Sequence, residues 1–211
     1  MNGHCHRRFL AGLTLVETMI SIAILVFGMG GLSLLFLRSF QTNRYVLETG
    51  IASANASRIV HETVADLRRV QTADNGDHPI ESGEDFDLEV YIDIDGDDDV
   101  ERVHYFLDGT DFKRGVTEPT ETVPVTYPAG DDSVETIAGD ISNEADEPVF
   151  FYYDQNYPGD LVNNPMTTPI VVADVASVKV RLIVNVDPLH APQYTTIESM
   201  AQFRNINIYA P

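Results

Sequence analysis

The chain has 211 residues, a formal net charge of −20 and a single cysteine. That length is enough for one globular domain of ordinary size and one membrane helix. A surface this acidic repels nucleic acid and anionic headgroups, so no nucleic acid is expected among its partners.

The first segment is organised around an apolar run. Arg7 and Arg8 come first, then Ala11 and Gly12. From Thr18 to Leu37 the chain carries no charge and is mostly Ile, Leu, Val, Met, Phe and Gly. About 20 such residues in a helix cross the hydrocarbon core of a bilayer. A helix in a soluble domain has no need to be apolar on every face. The basic flank predicts a cytoplasmic N-terminus, with the rest of the chain beyond the membrane. An ordinary secretory signal places its small residues just after the apolar region. Here they precede it, and the triplet Ala52-Ser53-Ala54 lies far past its end. Gly28, Gly30 and Gly31 sit within the run, where small residues soften the helix or let neighbouring helices approach. One carboxylate, Glu17, stands at its start. A charge at a membrane-helix centre costs ~2.5–3.5 kcal/mol, and less near an end, so Glu17 calls for a functional explanation.

Gly12, Leu13, Thr14, Leu15, Val16 and Glu17, with a basic leader before them and the apolar run after, resemble the type IV prepilin signal. Leu13 departs from the Phe usual in that family. The resemblance implies cleavage by a prepilin peptidase between Gly12 and Leu13, and methylation of the new amine by the same membrane enzyme. It also implies a role for Glu17 in docking one subunit on another. Physics supports that role: a carboxylate near a freshly made amine neutralises it, and burying either alone costs several kcal/mol. Loss of residues 1–12 removes Arg7, Arg8 and Cys5 but no acid. The mature chain is then more acidic still, and no disulfide staples it.

Beyond Arg38 the chain becomes amphipathic. Leu47, Ile51, Ala54, Ile59, Val64, Leu67 and Val70 recur at helical spacing, with Arg58, Glu62, Asp66, Arg68 and Arg69 left for other faces. The expectation is one helix from Leu13 to Gln71. Thr72 to Glu84 reads as a loop. Phe86, Leu88, Val90, Ile92 and Ile94 alternate with polar residues and Tyr91 as a half-buried strand. Strands are expected at Val100–Leu107 and Phe112–Val116, joined by an Asp108-Gly109 turn into an antiparallel meander. Thr117 to Glu147 is acidic, Pro-containing and reads as one long loop. Pro148–Tyr153, Val175–Val186 and Tyr194–Tyr209 read as further strands. The layout is α+β: a leader (1–12), an apolar membrane or filament-core helix (13–38), its amphipathic continuation (39–71) and a β-rich domain (72–211). The hairpin around Asp95-Gly96 and the closing Phe203-Arg204-Asn205 strand more loosely resemble minor pilins and minor pseudopilins.

One grouping has metal-like spacing: Asp93, Asp95, Asp97, Asp99 and Glu101. Calcium takes about 6–8 oxygen ligands, and a turn gathering these carboxylates would supply several. It is not an EF-hand, because Gly96 is fourth and His104 twelfth in the segment. The bland reading is a solvated Asp-Gly hairpin turn. Tyr152, Tyr153 and Tyr157 read either as an adhesive patch or, preferably, as half-buried sheet residues. No H-E-x-x-H, G-x-S-x-G or phosphate-binding loop occurs, and no enzyme is expected.

These readings lead to a minor pilin or pseudopilin, a subunit of a type IV pilus or type II secretion pseudopilus. Its partners would be the prepilin peptidase and methyltransferase, other pilins or pseudopilins, and the inner membrane before assembly. The rival is a membrane-anchored or secreted acidic ligand-binding protein, calcium-binding or adhesive, outside any filament.

Overall fold

The computed structural model describes residues 14–185 and 194–203. The chain divides into two compact units between Leu47 and Glu48. Helix α1 (Leu15–Leu67, 53 residues) runs through that boundary.

In the first unit, Leu15–Phe40 is long and apolar enough to span a membrane, and none of its apolar core is buried within the protein. Phe27 is 82% exposed and Ile24 68%, so this surface gains nothing from the chain's own fold. Leu13, where the helix was expected to begin, lies outside the described residues.

In the second unit, α1 becomes a packing element. Ala56, Ile59, Val60, Val64 and Leu67 are buried, and Ala52 packs against the same core. Of the expected stripe, Ile59, Val64, Leu67 and Val70 are buried, whereas Leu47, Ile51 and Ala54 are exposed. Before Ile59 the buried face is carried instead by Ala52 and Ala56, which keep helical phase with Val60, Val64 and Leu67. The helix ends at Leu67 rather than Gln71. Its last turn tightens, with Arg69 N–H donating to the Asp66 carbonyl at 2.8 Å, and Gln71 N–H then donates to the Tyr91 carbonyl at 3.0 Å.

Five antiparallel strands form the first sheet in sequential order: β1 (Ile80–Gly83), β2 (Asp87–Ile92), β3 (Glu101–Asp108), β4 (Asp111–Thr117) and β5 (Ser133–Ala138). A second antiparallel sheet comprises β6 (Phe150–Tyr153), β7 (Ser177–Val184) and β8 (Thr195–Gln202), and a short 3-10 turn spans Val172–Asp174. The fold is α+β, with the meander present and extended by a strand at each end. β1 lies inside the expected loop at Thr72–Glu84. β5 lies inside the expected loop at Thr117–Glu147. β5 escapes periodicity because its first four residues are exposed, so its register on β4 comes from the hydrogen-bond ladder, not burial. The part of the closing strand beyond Phe203, and Val186, lie outside the described residues.

One core joins helix and sheets. Leu88, Val90, Ile92, Val103, Tyr105, Phe112, Phe150, Tyr152, Val178, Val180 and Leu182 are 0–1% exposed and pack with the helix stripe. A smaller cluster of Ala73, Tyr91 and Val100, covered by Tyr127, occupies the other face of β2. Burial of each large apolar side chain contributes about 1.5–3 kcal/mol, so the shared core is the main source of order in this unit. Gly83 makes room for it: a Cβ there would meet Ile170 Cδ1 at 2.6 Å and the Tyr152 ring at 2.9 Å.

Candidate functional site

The helix start carries a reciprocal hydrogen-bond pair. Glu17 N–H donates to Thr14 Oγ1 at 3.3 Å, and Thr14 N–H donates to Glu17 Oε2 at 3.1 Å. The Thr14 hydroxyl also donates to Glu17 Oε2 at 3.2 Å. This is a capping box, which satisfies two amide donors that a helix N-terminus leaves orphaned. A carboxylate there also meets the positive end of the helix dipole. One turn on, Thr18 donates to the Leu15 carbonyl at 2.8 Å and Ser21 to the Glu17 carbonyl at 2.7 Å, so neither hydroxyl is left bare in the apolar run. The Glu17 carboxylate is thus folded back onto the amide of residue 14, one residue from Leu13. Gly12 and Leu13 lie outside the described residues. The box was legible as T-x-x-E ahead of an apolar run; reading Glu17 only as a partner for an amine missed it.

The second candidate is the β2–β3 hairpin. Asp93, Asp95 and Glu101 each bring one carboxylate oxygen to within 4.8 Å of the others. Asp97 and Asp99, expected in the same set, stand outside it. They are exposed, and Asp97 Oδ1 accepts from the Asp99 N–H at 3.0 Å in a local turn. Gly96 (φ 85°) and Asp98 (φ 79°) carry the left-handed turn residues, which splay the tip away from the strand ends. Asp97 in turn pushes the Asp99 carboxyl above its ordinary value.

Glu101 differs from the rest. It shares the inward face of β3 with Val103 and Tyr105 and is 1% exposed. Its Oε2 accepts from the Ile94 N–H at 2.7 Å, while the buried Oε1 has no hydrogen-bond partner. Burial pushes its pKa up to about 7, against the Ile94 N–H, which favours the charged form. Asp93 Oδ1 accepts from the Gly96 N–H at 2.7 Å. Its carbonyl accepts from Arg69 just past the helix end at 3.3 Å.

Two further polar clusters escaped the sequence. His104, on the opposite face of β3, lies between Asp87 (Nε2 to Oδ2, 2.7 Å) and Asp131 (Nδ1 to Oδ2, 3.1 Å) and stacks on Phe106. Burial alone would lower its pKa; the two carboxylates override it and raise it to about 9. Asp66, expected on a free helix face, is buried and accepts from Tyr105 Oη at 3.0 Å and Arg69 at 2.8 Å, with Arg114 at 3.8 Å. Both join segments distant in sequence, which no local period reveals. Tyr152 and Tyr153 are buried, and Tyr157 tilts against Tyr153 at 4.4 Å between ring centroids, so the first two form no adhesive patch.

No protein-family model matches the chain, and no curated protein sequence does either.

Proposed function

We propose that this chain is a type IV pilin-like minor subunit, a structural and assembly component of a pilus or a type II secretion pseudopilus. The observation that carries the reading is the Thr14–Glu17 capping box at the head of a membrane-length apolar helix segment that is unburied among the described residues. The box holds the one carboxylate of that segment against residue 14. An amine created at Leu13 would belong to the residue next in sequence to Thr14, whose N–H this carboxylate accepts. In this reading the chain first spans the inner membrane once, with its β domain outside the cytoplasm. A prepilin peptidase removes residues 1–12 and the amine is methylated. The exposed helix surface then moves from lipid into a bundle of like helices. Apolar contacts are not directional, so charge matching at Glu17 sets the register.

Two measurements test it. Mass spectrometry of the mature protein is expected to show methylated Leu13 as the first residue. A chain starting at Met1, or near Asn55, would point instead to an anchored or secreted ligand-binding protein. Glu17→Gln separates the two roles of the carboxylate. Its amide oxygen still accepts from Thr14 N–H, so the cap survives, but the charge is gone. Membrane insertion should be unchanged and incorporation into filaments should fall at least tenfold, as with Glu17→Ala. Normal incorporation of Glu17→Gln would leave Glu17 as a cap alone and remove the docking mechanism.

A further inference from the structure

The geometry points to a calcium ion held between the ends of β2 and β3 by Asp93, Asp95 and Glu101. This site stands apart from the helix start and does not depend on the filament reading. Three observations converge on it. First, the strand pairing places Ile92 opposite Glu101, so the Glu101 side chain reaches past the last ladder pair to the Ile94 amide, between Asp93 and Asp95. Each of the three acids offers one oxygen within 4.8 Å of the other two. Second, Glu101 is a buried carboxylate at a position whose phase belongs to Val103 and Tyr105, and its Oε1 is sealed from solvent without a partner. An unpaired buried carboxylate oxygen is costly, and such groups are ordinarily matched by a cation or a donor. Third, among the described residues no Lys or Arg forms an ion pair with any of the three. Arg69 approaches only the Asp93 carbonyl.

The donor set selects the ion. All three ligands are hard carboxylate oxygens, which suit calcium or magnesium and not zinc or copper. Oxygens on opposite sides of calcium lie about 4.6–5.2 Å apart, whereas magnesium holds them to about 4.0–4.2 Å. The three oxygens lie within 4.8 Å of one another, inside the span of a calcium shell, and calcium tolerates an irregular set of carboxylates, carbonyls and water where magnesium demands a near-ideal octahedron. Water and backbone carbonyls of the exposed tip would complete the coordination. The ion would also steady the Asp93 carbonyl that receives Arg69, and so the junction between the end of α1 and the sheet.

The test uses the full-length chain in a nonionic detergent, stripped with a chelator, and follows thermal unfolding by circular dichroism. Calcium chloride at ~5 mM exceeds the ~0.1–1 mM dissociation constants of extracellular calcium modules. It is expected to raise Tm by about 2–8 °C over sodium chloride of equal ionic strength. Asp95→Asn, at an exposed position that leaves the core untouched, should abolish the rise. Glu101→Gln, which keeps an acceptor for Ile94 N–H, should abolish it too. Asp98→Asn, equally exposed but outside the three, should retain it. The proposal is overturned if calcium does no more than sodium on the unaltered chain. It is also overturned if the rise survives in either Asp95→Asn or Glu101→Gln, or disappears in Asp98→Asn, which marks diffuse binding to acidic surface. An equal rise with magnesium overturns the choice of calcium.

Discussion

His104 shows what a single residue does when strand pairing forces it among acids. Its ring is held charged by Asp87 and Asp131, and its pKa rises from 6.5 to about 9. The stabilisation from this pair is therefore complete below pH ~6.5 and is lost as pH climbs through about 9. Asp87 is 42% exposed, so solvent screening leaves about 1–2 kcal/mol of it. The chain should lose that much stability between pH 6.5 and 9 in denaturant titrations, and His104→Gln should flatten the slope. Gly115, the cross-strand neighbour of His104, is part of the same arrangement. A Cβ there would collide with the Asp131 carboxyl group. Gly115→Ala should expel Asp131 and so reduce the slope as well; an unchanged slope in both variants would show that the pair contributes nothing.

At the scale of elements, the sequence was most legible where one face meets the core. The alternation of Leu88, Val90 and Ile92, and of Val178, Val180, Leu182 and Val184, located β2 and β7 because each of these side chains is fully buried. β1 has only four residues, and β5 is mostly solvated; neither prints a period of two strongly enough to read. The helix was legible as a helix, and so was its packing face from Ile59 to Leu67; Ala52 and Ala56 before it were missed, since apolar residues there occur on several faces. Of the candidate metal ligands, Asp93 and Asp95 could be named from spacing. Glu101 was named from the same spacing; its burial beside Val103 and Tyr105 follows from its phase on β3. The excess members, Asp97 and Asp99, reflect turn geometry that spacing does not encode. The packed half of α1 makes a prediction. Leu67→Ala should cost about 2–5 kcal/mol in unfolding free energy, because it opens a cavity in the core. Leu47→Ala, at a position 58% exposed, should stay within about 0.5 kcal/mol in the same assay. Equal losses would show that Leu47 packs as Leu67 does, as the full expected stripe requires.

The whole molecule carries 33 acids against 13 Lys and Arg. Among the described residues most basic side chains are drawn into pairs with acids, as with Arg114 and Glu135 or Lys179 and Arg181 with Glu198. The surplus acids repel one another in the folded state. Screening should relieve this, so in the presence of a chelator ~0.5 M sodium chloride should raise Tm by about 2–4 °C over ~0.05 M. A flat or falling response would place the surplus charge too far apart to matter. The solvated outer strand β5 bears on the same question. Ser133, Val134, Glu135 and Thr136 are all exposed, and β5 is the last strand of its sheet. A terminal strand is a ready template for the backbone of another molecule, and here a carboxylate stands in its middle. Repulsion between copies that each carry a net charge of −20 would keep such edges apart and let these chains crowd at high local density without fusing sheet to sheet, leaving their association to other surfaces.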